Sequence, residues 1–340
     1  KYLRENKEMS QSELSKKAGV NREQISRIES GQVNVTVKTI YKLAEALNVP
    51  ISFFFKKTEE YKYNDDIRPF VKWAGGKTQL LDKIISLLPE QYNTYYEPFI
   101  GGGALFFKIQ PKNAVINDFN NELMDAYRSF QNEEEFKKMI TKIIFHEENH
   151  NEDYYYKVRE LDRNKDYKEL ETFKKSARLI YLNKACFNGL YRVNSKGYFN
   201  VPSGKKEKVK AYDEKLFNGI HNFLKYSNVI IKSGDFEKSL RNASKGDFVY
   251  FDPPYDVLED QNNFTTYTKQ GFGKEEQKRL SNVYKELDKK GVKLMLSNHN
   301  TPYINELYSG FNIHVIKAKR MINSIGNKRG YVEEVLITNY

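Results

Sequence analysis

From about residue 67 onward, short apolar runs alternate with longer helical stretches, and that rhythm constrains the fold more than any other feature of the chain. The runs are Thr94–Glu97, Ala114–Asn117, Asn228–Ile231, Phe248–Phe251, Val292–Leu296, Ile313–Ile316 and Glu334–Thr338. Segments of this length, rich in β-branched and aromatic residues, read as strands. Strands that alternate with helices predict an α/β sheet covered on both faces. The fourth run carries the most information. Phe248-Val249-Tyr250-Phe251 stops abruptly at Asp252-Pro253-Pro254-Tyr255. Proline cannot donate to a ladder, so the strand ends there and the loop after it is stiff. Ligands of open α/β sheets bind outside the carboxyl ends of the strands. Asp252 and Tyr255 are therefore candidate pocket residues, with an ordinary strand and Pro-Pro turn as the alternative.

A second landmark follows the first strand directly: Pro98-Phe99-Ile100-Gly101-Gly102-Gly103-Ala104. Glycines at such a place let the backbone turn sharply and approach a ligand closely, with a helix N-terminus behind. The second strand ends at Asp118, where a carboxylate can accept hydrogen bonds from both hydroxyls of a ribose. The pair points to an adenosine-containing cofactor; the alternative for Asp118 is a cap on the next helix. No Gly-Lys-Ser/Thr closes the turn, so it is not a phosphate-binding loop of that kind.

The N-terminal part reads differently. Residues 1–57 form an all-helical pattern in which Ser10 caps a helix with Glu13 as its capping-box partner, and Gly19 marks a tight turn. Asn21 caps a second helix that Gly31 ends, and a third follows Thr36 and closes at Pro50. Two short helices around a glycine turn are the helix-turn-helix signature. Leu14 to Gly31 closely resembles the Cro/repressor-type helix-turn-helix family. That resemblance implies a recognition helix from Arg22 in a major groove, with Gln11, Arg22, Glu23 and Gln24 as DNA contacts. A helical unit for protein contact or dimerisation is the alternative. Residues 58–66 are charged and aperiodic and read as a linker to a catalytic domain over 67–340. Within it, about 121–227 breaks the strand–helix rhythm and reads as an insertion.

Composition adds bounds rather than answers. The net charge of +11 and the 25 Tyr and 22 Phe suit a polyanion whose bases can stack on aromatic rings. The single cysteine, Cys186, excludes an internal disulfide and a cysteine-based zinc site, and five scattered histidines suggest no metal. No apolar run is long enough for a membrane helix and no signal peptide precedes Lys1, so the expectation is a cytoplasmic protein without a membrane partner. Lys1 is not a methionine, which suggests that the sequence begins inside its gene product.

The motifs together identify a family. Phe70-Val71-Lys72-Trp73-Ala74-Gly75-Gly76-Lys77, then Glu97-Pro98-Phe99-x-Gly101, Asn117-Asp118, an inserted segment, Asp252-Pro253-Pro254-Tyr255 and Ser297-Asn298-His299 resemble, in that order, the DNA adenine methyltransferases of the Dam type. The resemblance implies a Rossmann-like methyltransferase sheet that uses S-adenosylmethionine. It puts Trp73, Lys77, Glu97, Phe99, Gly101, Gly103, Asp118 and Asp252 at the cofactor and makes Asp252, Pro253 and Tyr255 catalytic. An adenine amine is a poor nucleophile because its lone pair is delocalised into the ring. The Asp252 carboxylate and Pro253 carbonyl can accept hydrogen bonds from both amine hydrogens and stabilise the charge that develops on nitrogen. Tyr255 offers a ring for stacking. The base must leave the duplex to reach them, and Phe264 and Tyr267 are candidates to hold it.

The insertion contains Asn188-Gly189-Leu190-x-Arg192-x-Asn194-x-x-Gly197-x-Phe199-Asn200-Val201-Pro202, which resembles the target-recognition hairpin of enzymes acting at GATC. The resemblance assigns Arg192 to guanine, Asn188, Leu190, Asn194 and Pro202 to further contacts, Phe187 to a wedge, and Lys72 to the first base pair. GATC is favoured, with a longer site such as GATATC still open. A regulator whose methyltransferase domain binds cofactor without catalysis is the reading from another class. Double-stranded DNA is the expected partner. A cognate restriction endonuclease and dimerisation through the helix-turn-helix unit are further candidates.

Overall fold

The computed structural model describes residues 2–7, 9–33, 35–49, 63–75, 77, 80–257, 272–319 and 331–340. Pro50, Phe264 and Tyr267 lie outside the described residues. The chain divides into two compact units, Lys1–Lys62 and Tyr63–Tyr340.

The first unit contains α1 (Tyr2–Asn6), α2 (Gln11–Ala18), α3 (Arg22–Glu29) and α4 (Val37–Ala46). The Ser10 hydroxyl accepts from the Glu13 N–H while the Glu13 carboxylate accepts from the Ser10 N–H, so the capping box closes. Gly19 ends α2 at φ 57°, Asn21 caps α3, and Thr36 caps α4. Leu14, Ala18, Val20, Ile25, Leu43, Ala46 and Leu47 form the core of this unit. Helix α1 was not among the sequence expectations. It is anchored by Arg4, whose guanidinium donates twice to Glu29 at 2.7 and 2.9 Å.

The second unit is built on seven strands: β1 (Tyr95–Glu97), β2 (Asn113–Ile116), β3 (Asn228–Ile231), β4 (Phe248–Phe251), β5 (Lys293–His299), β6 (Asn312–Lys319) and β7 (Tyr331–Thr338). Their order is β3-β2-β1-β4-β5-β7-β6. The first five pair in parallel, and β7 runs antiparallel between β5 and β6. Each expected run is a strand. Strand order reverses between β1 and β4, and the crevice at the carboxyl ends of these two strands is where such a sheet holds ligands. The helices are α5 (Leu81–Ser86), α6 (Ala104–Ile109), α7 (Asn121–Gln131), α8 (Glu133–Glu148), α9 (Glu152–Arg159), α10 (Thr172–Ala185), α11 (Glu214–Tyr226), α12 (Phe236–Ser239), α13 (Lys274–Lys289) and α14 (Pro302–Leu307). No helix among the described residues is long and apolar enough to cross a membrane.

Two boundaries differ from expectation. Residues 63–66, read as linker, are tied onto the second unit. Tyr63 donates to the Lys108 carbonyl at 2.9 Å, and Asn64 exchanges two hydrogen bonds with the Gln110 side chain at 3.0 and 2.7 Å. Charged residues hid those partners because the partners lie more than forty positions away. The insertion is also narrower than 121–227. Helices α7 and α11 both pack against β3 and so belong to the layer covering the sheet. The departure is the segment between them, where α8, α9 and α10 carry a hairpin.

Candidate active site and nucleic-acid interface

The loop that opens the second unit, Phe70 to Lys77, is anchored by Phe70, a fully buried ring packed against Phe107, Tyr127 and Phe130. It delivers Lys77 to the end of β4, where the ammonium lies 2.8 Å from Asp252 Oδ1 and 2.7 Å from the Gly75 carbonyl. The same ammonium sits 4.4 Å from the centre of the Tyr255 ring, close enough for a cation–π contact. Side-chain exposure is 9% for Lys77 and 18% for Asp252, so the pair is shielded but open on one side. The resemblance placed Lys77 at the cofactor; its charged partner in this structure is Asp252.

Asp252 also accepts from the Ser297 hydroxyl at 3.0 Å. Burial pushes its carboxyl above the usual range, against the opposing pull of Lys77. Tyr255 donates to Glu334 at 3.0 Å and meets the His299 ring edge to face at 4.9 Å. The loop itself is pinned on several sides. Gln277 donates to the Pro254 carbonyl at 2.8 Å, the Asp256 N–H donates to Asn298 Oδ1 at 2.9 Å, and Thr301 donates to Asp256 Oδ2 at 2.7 Å. Among the described residues no hydrogen bond occupies the Pro253 carbonyl.

At the end of β1, Glu97 is buried and accepts from the Tyr95 hydroxyl at 2.6 Å. Burial holds its carboxyl well above the usual carboxylate range; the nearby charge of Asp252 adds to this, and the Tyr95 hydroxyl and Lys77 oppose it. The glycine turn is as tight as its sequence suggested. Gly101 and Gly103 have φ of 47° and 73°; a Cβ would lie 2.9 Å from the Trp73 ring at the first and 2.6 Å from the Tyr127 hydroxyl at the second. Asp118, at the end of β2, accepts the Gly101 N–H at 3.0 Å and the Asn120 N–H at 2.9 Å, one on each oxygen. Burial again raises its carboxyl. It is not the cap of α7, which is Asn120. Phe99 packs against Phe236 and Phe272.

The hairpin is present. Val193 bridges Phe199, and Cys186 bridges Ser203, both antiparallel. Phe187 and Leu190 leave 52% and 41% of their surface in water, as apolar side chains used for contact would. Asn188 takes φ 55° at its turn. The Pro202 carbonyl accepts the Phe187 N–H at 3.0 Å, closing the hairpin base. Arg192 donates through Nε to Asn200 at 2.8 Å, which fixes the plane of its guanidinium. Asn194, expected as a DNA contact, also has a local structural role. Its side-chain oxygen accepts the N–H groups of Lys196 and Tyr198 and so shapes the hairpin tip. Lys72 lies beside the hairpin because the buried Asn183 amide spans both. It accepts the Lys72 N–H at 2.8 Å and donates to the carbonyls of Lys72 and Gly189 at 2.9 and 3.0 Å.

In the first unit Arg22, Glu23 and Gln24 are exposed along the start of α3. Gln11 differs from expectation: its amide donates to Glu29 at 2.9 Å, inside the Arg4–Glu29 network. Sequence reading missed Ser297 as a site residue, although its motif was noted, and missed Glu334, Tyr191 and Phe119. Phe119 follows Asp118 directly and is 83% exposed. An exposed ring after a ribose-type carboxylate was a signal available in the sequence.

Comparison with known proteins gives the same answer. Residues 73–322 match the model of the D12 class N6 adenine-specific DNA methyltransferases, and residues 1–54 match a helix-turn-helix family. The type II methyltransferase M1.LlaDCHI of Lactococcus lactis subsp. cremoris is 46% identical over 81% of this chain and 96% of its own length. The type II methyltransferase M.MjaIII of Methanocaldococcus jannaschii is 43% identical over 81% of this chain and all of its own length. The DNA adenine methylase of Escherichia coli K12 is 32% identical over 79% and 94%. A sheet that places Asp252-Pro253-Pro254-Tyr255 beside a glycine turn, the length of the family match and these identities agree: the chain belongs to the D12 class of N6 adenine-specific DNA methyltransferases.

Proposed function

We propose that this methyltransferase uses S-adenosylmethionine and modifies N6 of a flipped adenine within GATC. The observation that carries the reading is the end of β4, where Asp252 is held between the Lys77 ammonium and the Ser297 hydroxyl with an unclaimed Pro253 carbonyl beside it. The residues present fit the cofactor. Gly101 and Gly103 have no room for a Cβ, Asp118 keeps lone pairs beyond its two backbone bonds for ribose hydroxyls, and exposed Phe119 offers a flat apolar face. Lys77 and Glu97 supply a cation and a carboxyl for the ends of an amino acid. When bound, S-adenosylmethionine supplies an electrophilic methyl group on a sulfonium.

The chain's residues then act on the base. Asp252 and the Pro253 carbonyl accept the two N6 hydrogens, which favours a pyramidal nitrogen with its lone pair toward the methyl carbon. The N6 lone pair would form the N–C bond as the methyl–sulfur bond breaks with its electron pair left on sulfur. Positive charge develops on N6, a carboxylate already in place stabilises it with little reorganisation, and one N6 proton then leaves to water. Lys77 opposes the burial that raises the Asp252 carboxyl and so favours its ionised form, and Glu334 fixes the Tyr255 ring against which the adenine stacks. Arg192, held by Asn200, presents its remaining donors to a guanine edge. Phe187 and Leu190 occupy the space that the base leaves. The relatives named type II methyltransferases support a cognate restriction endonuclease as partner, and the exposed start of α3 supports a second DNA contact and a dimer on a palindrome.

The test is methyl transfer to a panel of duplexes containing GATC, each of its single-base variants, and GATATC. Transfer confined to duplexes with GATC supports the assignment. Transfer that requires GATATC, or tolerates a changed guanine, refutes it while leaving the enzyme class intact.

A further inference from the structure

Tyr191 stands between the two base-reading positions Leu190 and Arg192, yet it faces the other way. Alternate residues of an extended segment point to opposite sides. Leu190 and Arg192 are exposed, whereas Tyr191 is half-buried and its ring stacks on Trp73 with centroids 4.7 Å apart and planes 28° apart. Burial pushes its hydroxyl up, and the nearby Asn120 side chain partly opposes that. Both partners belong to the cofactor side of the enzyme. The Trp73 ring lies against the Gly101 turn, and the Asn120 N–H donates to Asp118 at 2.9 Å. Across the hairpin the ring also meets Phe199 at 5.7 Å. One side chain therefore touches the hairpin and the loop carrying Trp73, and its hydroxyl lies near the residue whose N–H orients the Asp118 carboxylate.

We propose that Tyr191 is a positioning residue that couples the two ligands. Ordering of Trp73 and Asp118 around the cofactor sets the hairpin for reading DNA, and DNA on the hairpin tightens the cofactor site by the same factor. This rests on the methyltransferase function proposed above and adds the route by which its two sites communicate. The reciprocity is a thermodynamic requirement, and couplings of this kind commonly change affinity by about 5- to 150-fold. The ring stack is the element that carries it, because Trp73 cannot shift without moving Tyr191 or losing the contact.

The test uses the full chain, S-adenosylhomocysteine as cofactor probe, and a duplex carrying the site that the wild-type protein methylates. Trp73 is the only tryptophan in the sequence, so its emission reports the stack directly. In the wild-type protein, S-adenosylhomocysteine tightens the duplex by about tenfold, within the usual range for coupled sites, and duplex alone changes Trp73 emission. In Tyr191→Met, which fills the space without a ring, the coupling falls below about twofold and the emission response to DNA is lost. Tyr191→Phe keeps the ring and retains most of both. A Met variant with wild-type coupling, or a Phe variant that loses it as fully as Met, overturns the proposal. Wild-type protein that binds both ligands without coupling overturns it alone; failure to bind either ligand overturns the methyltransferase function as well.

Discussion

Asp252 is held by three influences of different sign: burial raises its carboxyl, while Lys77 and Ser297 stabilise the anion. In the proposed reaction the ionised form accepts the N6 hydrogens, so kcat is expected to fall on the acid side as Asp252 takes up a proton. Lys77→Met removes the cation that holds the carboxyl down, and the acid limb of the kcat profile moves to higher pH; a limb that stays in place contradicts the assignment. Asp252→Ala lowers kcat by about 10²–10³-fold or more, the scale of losing one preorganised acceptor, with duplex affinity retained. Glu97 tests burial separately. Its raised pKa means that the folded chain binds more protons than the unfolded one from the ordinary carboxylate value up to the raised value, so stability falls as pH rises through that window. Denaturant unfolding at about pH 5 and about pH 8 therefore shows Glu97→Gln gaining on the wild-type protein at the higher pH. The residues that begin or end strands were legible in the sequence because a strand end is a local signal. Ser297, Glu334 and Tyr191 were not, since each meets its site partner across more than forty residues of chain.

Among elements, α10 does the most to place the hairpin. Its Arg178 is buried and donates to Asp162 at 2.8 Å, the Val158 carbonyl at 3.0 Å and the Tyr167 hydroxyl at 3.1 Å. The same Asp162 oxygen accepts the Phe199 N–H at 2.7 Å, which ties the returning arm of the hairpin to the helix. Arg178→Met leaves buried Asp162 with only the longer contact to Arg163 at 3.8 Å, and breaking such a buried pair costs about 3–5 kcal/mol. Equilibrium denaturation measures the loss, and an effect within about 0.5 kcal/mol, typical of a surface change, contradicts the role. All seven strands were legible from apolar runs, as were the caps of α2, α3 and α4. The limits of the insertion were not. Periodicity marks α7 and α11 as helices but does not say that α7 joins α11 in covering β3, which depends on packing between segments about a hundred residues apart in the chain.

At the scale of the whole molecule, two DNA-directed units are joined in one chain. The relative M1.LlaDCHI is matched over 96% of its length by 81% of this chain, so too little of it remains to hold a counterpart of the N-terminal unit. Residues 63–340 alone should therefore retain methyl transfer at the same sequence, and loss of specificity on removing residues 1–62 contradicts that independence. The first unit adds phosphate contacts if it binds the same duplex. In that case the slope of log affinity against log salt falls by about 0.9 for each contact removed with it. The +11 net charge suits a polyanion partner; in the proposed function it is the hairpin and the strand ends that specify what is read and what is modified.

The central claim is that the Asp252 strand end transfers a methyl group to adenine N6. Its most direct measurement is incubation of unmethylated plasmid with S-adenosylmethionine and either the wild-type protein or Asp252→Ala, followed by sequencing that maps every N6-methyladenine. The account predicts modified adenines at one defined sequence, GATC, with the wild-type protein and none above background with the variant. Unmodified plasmid despite cofactor and DNA binding by the wild-type protein, or equal modification by Asp252→Ala, would contradict it.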